Sequence, residues 1–238
     1  MSEQLITYID GATGERTVLT STDLGVWVAA TASLLSGECG LRRGSRAGVL
    51  LPPHWQTAVV LLGAWAAGIE VSFQAWSTAG LSSGFAAQPD AELDVTFVER
   101  RRVGSWLEDV PSARFQFVLG LAPGGGASPD VPHGYRDFPA AARAHLGAAP
   151  PRDGVAVGEA ATVDGTTFGE YGVAAATVAS ARGITAGDRV LVDATACEEP
   201  MIWLMAPLTA GASIVVGANL DRSGLDELIT AERVTRLL

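Results

Sequence analysis

The segment GLRRGSRAGVL (residues 40–50) has a counterpart later in the chain, GITAGDRVLVD (residues 183–193). When the first segment is shifted from position 40 to position 183, two glycines, one arginine and one valine coincide. The same shift places Leu61, Ala67 and Gly68 on a second leucine, alanine and glycine. The match predicts an internal repeat; the alternative is two unrelated α/β units with similar turns.

Each copy has the same predicted order of elements: a helix, a glycine-rich turn, a short apolar strand, a strongly apolar helix and a second strand. The predicted helices are 22–37, 55–67, 169–183 and 200–210, and the predicted strands are 46–51, 69–73, 189–194 and 212–217. Alternating helices and strands with short turns favour parallel sheets with right-handed crossovers. The predicted fold class is therefore α/β, with two pseudo-symmetric layered subdomains whose largely parallel sheets are flanked by helices.

Proline and glycine cluster at AAPPRDG (148–154), which predicts a boundary between a first subdomain, 1–150, and a second, 151–238. Further strands are predicted at 94–99 and 115–120. The second subdomain is small, so we expect it to pack intimately on the first and not to fold by itself.

The amino-acid composition excludes several classes of function. The chain has 238 residues, a formal net charge of −10 and 16 basic residues, all of them arginine. An acidic chain repels phosphate backbones, so no nucleic-acid partner is expected. Without lysine, neither a Schiff-base mechanism nor a Gly-Lys-Ser/Thr phosphate loop is possible.

The same sequence predicts a cytoplasmic protein that does not enter a membrane. The longest apolar run, 57–68, is too short to span a bilayer, and the N-terminus lacks the pattern of a signal peptide. The two cysteines, Cys39 and Cys197, are too few for a disulfide framework.

The run VLTSTDLGVWVAATASLLSGECGLRRGSRAGVLLPPHWQTAVVLLGAWAAGIEV (18–71) resembles the opening of the acyl-adenylate-forming enzymes, which include acyl-CoA synthetases, luciferases and adenylation domains. Residues 183–216 are similar to the matching part of that family's second subdomain. The resemblance implies two similar α/β subdomains. It also implies a truncated, degenerate relative, because the family's ribose-binding, magnesium-binding and catalytic residues would follow residue 238.

The resemblance places VDGTTFGEYG (163–172) where the family has a Ser/Thr/Gly-rich phosphate loop that ends in Pro-Lys-Gly. Asp164, Gly165, Thr166 and Thr167 fit the centre of that loop and are the candidate nucleotide-binding residues. The lysine is missing, so we expect a degenerate loop whose threonines bond their own backbone. No cofactor, metal ligand or adenylation residue is predicted.

A hydrolase is the main alternative chemistry. GLSSG (80–84) matches a nucleophile-elbow pattern with Ser82 as the nucleophile and His133 or His145 as the base, although no strand runs directly into it. His54 follows two prolines at a helix start and is interpreted as structural, and the acidic pair 198–199 as a helix cap. The tryptophans at 55, 65 and 203 are interpreted as core or interface residues.

These observations predict a non-catalytic binding or assembly protein. The alternative is a remnant acyl- or nucleotide-binding enzyme that a partner chain completes. The expected partner is a second copy of the chain, in a homodimer, or an unidentified protein. The terminal segment VTRLL (234–238) is a predicted strand at or near a sheet edge, where another chain could pair.

Overall fold

A computed structural model of the chain describes residues 4–75, 92–105, 110–149, 151 and 154–238. Within them the strands form two sheets of five strands each. The strands are β1 (Gln4–Asp10), β2 (Arg16–Thr20), β3 (Arg46–Leu50), β4 (Glu70–Phe73), β5 (Leu93–Glu99), β6 (Ala113–Leu119), β7 (Arg136–Asp137), β8 (Arg189–Asp193), β9 (Ser213–Ala218) and β10 (Arg236–Leu237). The α-helices are α1 (Ser21–Ser33), α2 (Trp55–Ala66), α3 (Phe138–Arg143), α4 (Phe168–Ala181), α5 (Ala206–Ala210) and α6 (Leu225–Ala231).

The first sheet has the order β4-β3-β5-β6-β7, and all its strands are parallel. Its central strands are buried without a break: residues 47–50 of β3 and residues 95–98 of β5 are all buried. Continuous burial of this kind is typical of a parallel strand that is covered on both faces. The rings of Phe97, Phe117 and Phe138 pack together, which fixes α3 against this sheet.

The second sheet has the order β10-β8-β9-β1-β2. Its strands are parallel except for β2, which forms an antiparallel hairpin with β1. β1 pairs with β9 in a register that places Ile6 opposite Ile214 and Tyr8 opposite Val216. Two strands from the start of the chain therefore complete a sheet that is built mainly from its last third.

Glu232 links the end of α6 to strands β2 and β8 of the second sheet. It is 7% exposed, and its carboxylate accepts hydrogen bonds from Arg16 on β2 at 2.7 Å and from Arg189 on β8 at 2.8 Å. Because Glu232 directly follows α6, these charge-assisted bonds hold the end of that helix against the strands.

The contacts divide the chain into two compact units, and neither is a continuous segment. One unit comprises Met1–Asp23, Pro53–Ala58 and Glu170–Leu238, and the other comprises Leu24–Pro52 and Val59–Gly169. This division differs from the predicted boundary near residue 150, at which 1–150 and 151–238 would separate. The physical reason is that β1, at the start of the chain, pairs with β9 near its end, so no single cut in the sequence separates the two units.

The predicted fold class is confirmed: both sheets are mainly parallel and helices connect their strands. Both segments of the predicted repeat have the expected order of helix, strand, helix and strand, while common descent of the two segments stays a prediction. Among the described residues, no helix is long and apolar enough to cross a bilayer.

Two helices differ from the sequence prediction in their hydrogen bonding. The predicted helix 22–37 is α-helical to Ser33 and then continues as one π-helical turn, Leu34–Glu38. The predicted helix 200–210 is a π-helical turn, Met201–Met205, followed by α5. Pro207 lies in the first turn of α5 and has no N–H to donate, so an ordinary α-helical ladder could not run through it.

Candidate functional site

The candidate phosphate loop lies in a segment that is hydrogen-bonded to β4. The carbonyl oxygen of Ala161 accepts hydrogen bonds from the Val71 N–H and from the indole N–H of Trp65, both at 2.9 Å. Thr162 forms a parallel bridge with Val71, and Ala160 forms an antiparallel bridge with Thr167. The chain therefore enters and leaves the turn as two paired extended segments.

Within this turn, the side chain of Asp164 is the central hydrogen-bond acceptor. Its Oδ1 accepts from the Thr162 hydroxyl at 2.5 Å, the Thr166 hydroxyl at 2.9 Å and the Thr166 N–H at 3.0 Å. Gly165 has φ +90°, a left-handed conformation that favours glycine, and its N–H donates to the Thr162 carbonyl at 3.0 Å. The turn is thus closed by its own polar groups.

The amide groups at the start of α4 are also occupied. The N–H of Phe168 donates to the Glu159 carbonyl at 2.9 Å, and the N–H of Gly169 donates to the Val157 carbonyl at 2.8 Å. A helix N-terminus binds phosphate through N–H groups that point at the ligand. At this helix, two of those groups already have protein acceptors.

The charge at this turn is unfavourable for a phosphate. Hydrogen bonds from Thr162, and then from Thr166, lower the pKa of Asp164, so its carboxylate is ionised at neutral pH. The guanidinium of Arg43 reaches the segment before the turn, but it pairs with Glu159 at 2.5 Å and donates to the Gly154 carbonyl at 3.1 Å. The turn therefore presents an anion, and the arginine beside it already pairs with a carboxylate.

The expectation that the loop's threonines bond their own backbone needs a correction. Of the two candidate threonines, Thr166 donates its hydroxyl to the Asp164 side chain instead, as does Thr162 just before the candidate residues, and for Thr167 the expectation stays a prediction. A carboxylate is a stronger acceptor than a carbonyl oxygen, and Asp commonly forms such local turns.

The hydrolase candidates and His54 differ in where the structure places them. Ser82 is outside the described residues. His133 is exposed in the loop before β7, and His145 follows α3. His54 is fully buried, and its Nδ1 accepts from the Gln56 N–H at 3.1 Å, which confirms a structural role at the start of α2.

Two further interpretations are confirmed. The carboxylate of Glu199 accepts from the Met201 N–H, which is a helix-capping contact, while burial raises the pKa of this side chain. For Glu198, the other member of the acidic pair, the capping role stays a prediction. The three tryptophans are core residues, since Trp55, Trp65 and Trp203 are at most 6% exposed.

The sequence analysis did not predict one cluster of polar side chains, formed by Ser33, Glu38 and His145. In the hydrolase alternative His145 is a base for Ser82, whereas in the structure its ring contacts Ser33 and Glu38. These two partners are five residues apart, a spacing that no α-helical pattern brings to one face. Only the π-helical turn after Ser33 reveals the contact.

The two sheets and their connecting helices are similar to part of the fold of the acyl-CoA synthetases. Similar solved structures are an acetoacetyl-CoA synthetase from Streptomyces lividans (TM-score 0.72, 19% identity), an acyl-CoA synthetase from Brucella canis (0.71, 19%) and a fatty acyl-CoA synthetase from Mycobacterium tuberculosis (0.66, 16%). The matches cover 99%, 99% and 97% of this chain but only 40%, 44% and 45% of those proteins. The predicted resemblance is confirmed for the fold.

The chain belongs to the TIGR03089 family. It is 35% identical over 238 residues to a TIGR03089 family protein of Mycobacterium tuberculosis (strain ATCC 25618 / H37Rv), and the match covers 98% of this chain and 90% of that relative. No protein-family model matches the sequence.

Proposed function

We propose that this chain is a relative of the acyl-CoA synthetases that does not form acyl adenylates and acts as a binding or assembly protein. The observation that carries the proposal is the closed turn at Asp164–Thr167. The groups that would have to face a phosphate there are bonded to one another, and the side chain at the centre of the turn is an anion.

The physical argument concerns charge in the transition state. Adenylyl transfer places negative charge on phosphate oxygens, and catalysis depends on cations and N–H donors that are already in place. The chain contains no lysine, and the N–H groups of Gly165, Thr166 and Phe168 donate within the protein. Loss of one such donor costs about 2.7–4 kcal/mol of transition-state stabilisation, so loss of several removes any useful rate.

The test is ATP–pyrophosphate exchange by the purified chain with acids of different length, together with calorimetric titration of ATP and magnesium. An active acyl-CoA synthetase serves as the positive control. We expect neither exchange nor micromolar binding. Magnesium-dependent binding at micromolar concentration would contradict the proposal, and loss of that binding in Thr166→Ala and Thr167→Ala would locate it at this turn.

A second candidate is an enzyme that a partner chain completes. Its support is the fold that the chain shares with the acyl-CoA synthetases, of which it spans less than half the length. Exchange activity that appears only when a co-purifying protein is added back would support this candidate.

For the partner and the location, we propose a homodimer in the cytoplasm. The low cysteine count suits a reducing compartment, and the position of β10 at the edge of its sheet supports pairing with a second copy.

A further inference from the structure

Ser33, His145 and Glu38 form a continuous chain of hydrogen bonds. The Ser33 Oγ lies 3.1 Å from the Nδ1 of His145, and the Nε2 of the same ring lies 2.8 Å from the Glu38 Oε2. An ionised carboxylate can only accept, so in the neutral ring Nε2 carries the proton and Nδ1 accepts from the Ser33 hydroxyl. A hydroxyl, an imidazole and a carboxylate therefore lie in the order in which nucleophilic catalysis uses a nucleophile, a base and a group that orients the base.

The π-helical turn is what brings Ser33 and Glu38 to the same side. In an α-helix, residues five apart point about 140° away from each other, because each residue turns the chain by about 100°. A π-helix bonds residues five apart, as the Cys39 N–H does to the Leu34 carbonyl at 2.9 Å, and so brings such residues to a similar side of the helix. π-Helical turns are rare and occur often at functional sites.

A fourth residue holds the carboxylate. Arg136 donates to the other oxygen of Glu38, so each oxygen of that carboxylate has its own partner. Hydrogen bonds from His145 first, and then from Arg136, lower the pKa of Glu38, which keeps it ionised at neutral pH. Glu38 thus acts as a positioning residue that fixes the imidazole ring and its tautomer.

The constellation is open to solvent. The side chain of His145 is 19% exposed, that of Glu38 is 42% exposed, and Ser33 is half-buried. Among the described residues, a Cβ added at Gly37 would meet one side-chain atom within 4 Å, the Ser33 Oγ at 3.9 Å. Because Gly37 has no side chain, it adds no side-chain atoms beside this hydroxyl.

We propose that Ser33 is a nucleophile that accepts acyl groups from esters, with His145 as its general base. The Ser33 Oγ forms a bond to the carbonyl carbon, and its proton passes to His145 Nδ1. The bond from that carbon to the leaving oxygen breaks, and the leaving oxygen takes the proton from Nδ1. Water then attacks the acyl-serine ester with His145 as base, which releases a carboxylic acid and regenerates the Ser33 hydroxyl.

This chemistry is separate from adenylation, to which the proposed function refers, and it uses neither ATP nor the turn at Asp164. We expect short acyl esters as substrates, because the half-buried Ser33 lies on a helix next to the exposed Gly37.

The decisive experiment is covalent labelling. The purified protein is incubated with a fluorophosphonate, and the labelled peptide is identified by mass spectrometry. We expect one label, on Ser33, and its loss in Ser33→Ala. Labelling of another residue, or no labelling of the folded wild-type protein, overturns the proposal, and neither result depends on whether a variant folds.

Hydrolysis of p-nitrophenyl acetate provides the second measurement. We expect His145→Gln to lower the Ser33-dependent rate by about 10²-fold or more, as for loss of a general base. Ser36→Ala is the matched control, because Ser36 lies in the same π-helical turn but donates to the Ala32 carbonyl at 2.7 Å. A rate that is equal in wild type, Ser33→Ala and Ser36→Ala overturns the proposal, since general surface nucleophiles would then account for it.

Discussion

At the scale of single residues, His54 shows how burial fixes a protonation state. The ring is fully buried and its centroid lies 4.1 Å from that of Tyr8. Burial lowers the pKa of His54 to about 3 from its ordinary 6.5, although the negative charge of Asp10 acts in the opposite direction. The folded chain therefore keeps this imidazole neutral at a pH where the unfolded chain protonates it.

This shift predicts a pH-dependent loss of stability. Between pH 6.5 and 3 the unfolded state binds more protons at this site than the folded state, so the free energy of unfolding falls as the pH falls. The contribution of His54 to the slope is at most about 1.4 kcal/mol per pH unit. Urea unfolding of the wild type and of His54→Asn across the range from about pH 4 to pH 7 measures it.

Asparagine is the matched replacement because it does not titrate and can still accept the Gln56 N–H at the start of α2. We expect the variant to have the shallower dependence on pH, whatever its stability at neutral pH. Equal slopes in the two proteins would show that other groups cause the acid sensitivity.

Single residues are predictable from the sequence where the pattern is local. The cap at Glu199 and the structural role of His54 follow from their positions at helix starts, beside prolines. The Ser33–His145 contact joins residues 112 positions apart, and no local pattern specifies it. The position of Asp164 in the turn that corresponds to the phosphate loop follows from the family resemblance. The acceptor to which each threonine hydroxyl donates depends on three-dimensional geometry, which the sequence pattern does not specify.

At the scale of elements, two glycines inside helices have opposite environments. A Cβ at Gly25 of α1 would have no atom within 4 Å, while a Cβ at Gly63 of α2 would lie 2.5 Å from the Cβ of Thr31 on α1. Gly63 therefore allows α1 and α2 to approach closely, and Gly25 has no such role.

We expect Gly25→Ala to raise the free energy of unfolding by about 0.5–1 kcal/mol, because alanine loses less backbone entropy in a helix. Gly63→Ala should lower it by about 1–3 kcal/mol, because the two helices would have to separate. Urea unfolding with unchanged m-values checks both, and each variant is the control for the other. Stabilisation by Gly63→Ala would contradict the close packing of α1 on α2.

Most elements lie within one or two residues of their predicted positions, because their apolar periodicity is strong. The sequence predicts β3 at 46–51, for example, and the strand is Arg46–Leu50. The place of the β1–β2 hairpin in the second sheet is not predictable from a local pattern, because β1 pairs with β9, which lies about two hundred residues further along the chain. The π-helical turns escape it because a widened turn changes the hydrogen bonding but hardly alters the apolar pattern.

At the scale of the whole molecule, the edge strand β10 is the feature on which we base a prediction of self-association. Among the described residues, β10 pairs with β8 on one side and with no strand on the other. Its Leu237 is 56% exposed, which is high for a leucine on a strand. An open edge and an exposed apolar side chain favour pairing with another strand.

We therefore predict a homodimer in which β10 pairs with its copy about a two-fold axis, the commonest symmetry of such assemblies. Two-fold pairing of a strand with itself is antiparallel and brings the two copies of Leu237 close together. Light scattering at micromolar concentration should give a mass of twice the chain's 24.5 kDa. Replacing Leu237 and Leu238 with Asp should shift the mass towards the monomer, because four like charges would meet at the pairing edge.

Val157→Asp is the control, since Val157 is 77% exposed but lies away from β10 in the sequence and outside both sheets. A monomeric wild type, or a dimer that survives the aspartates, would exclude β10 as the pairing edge.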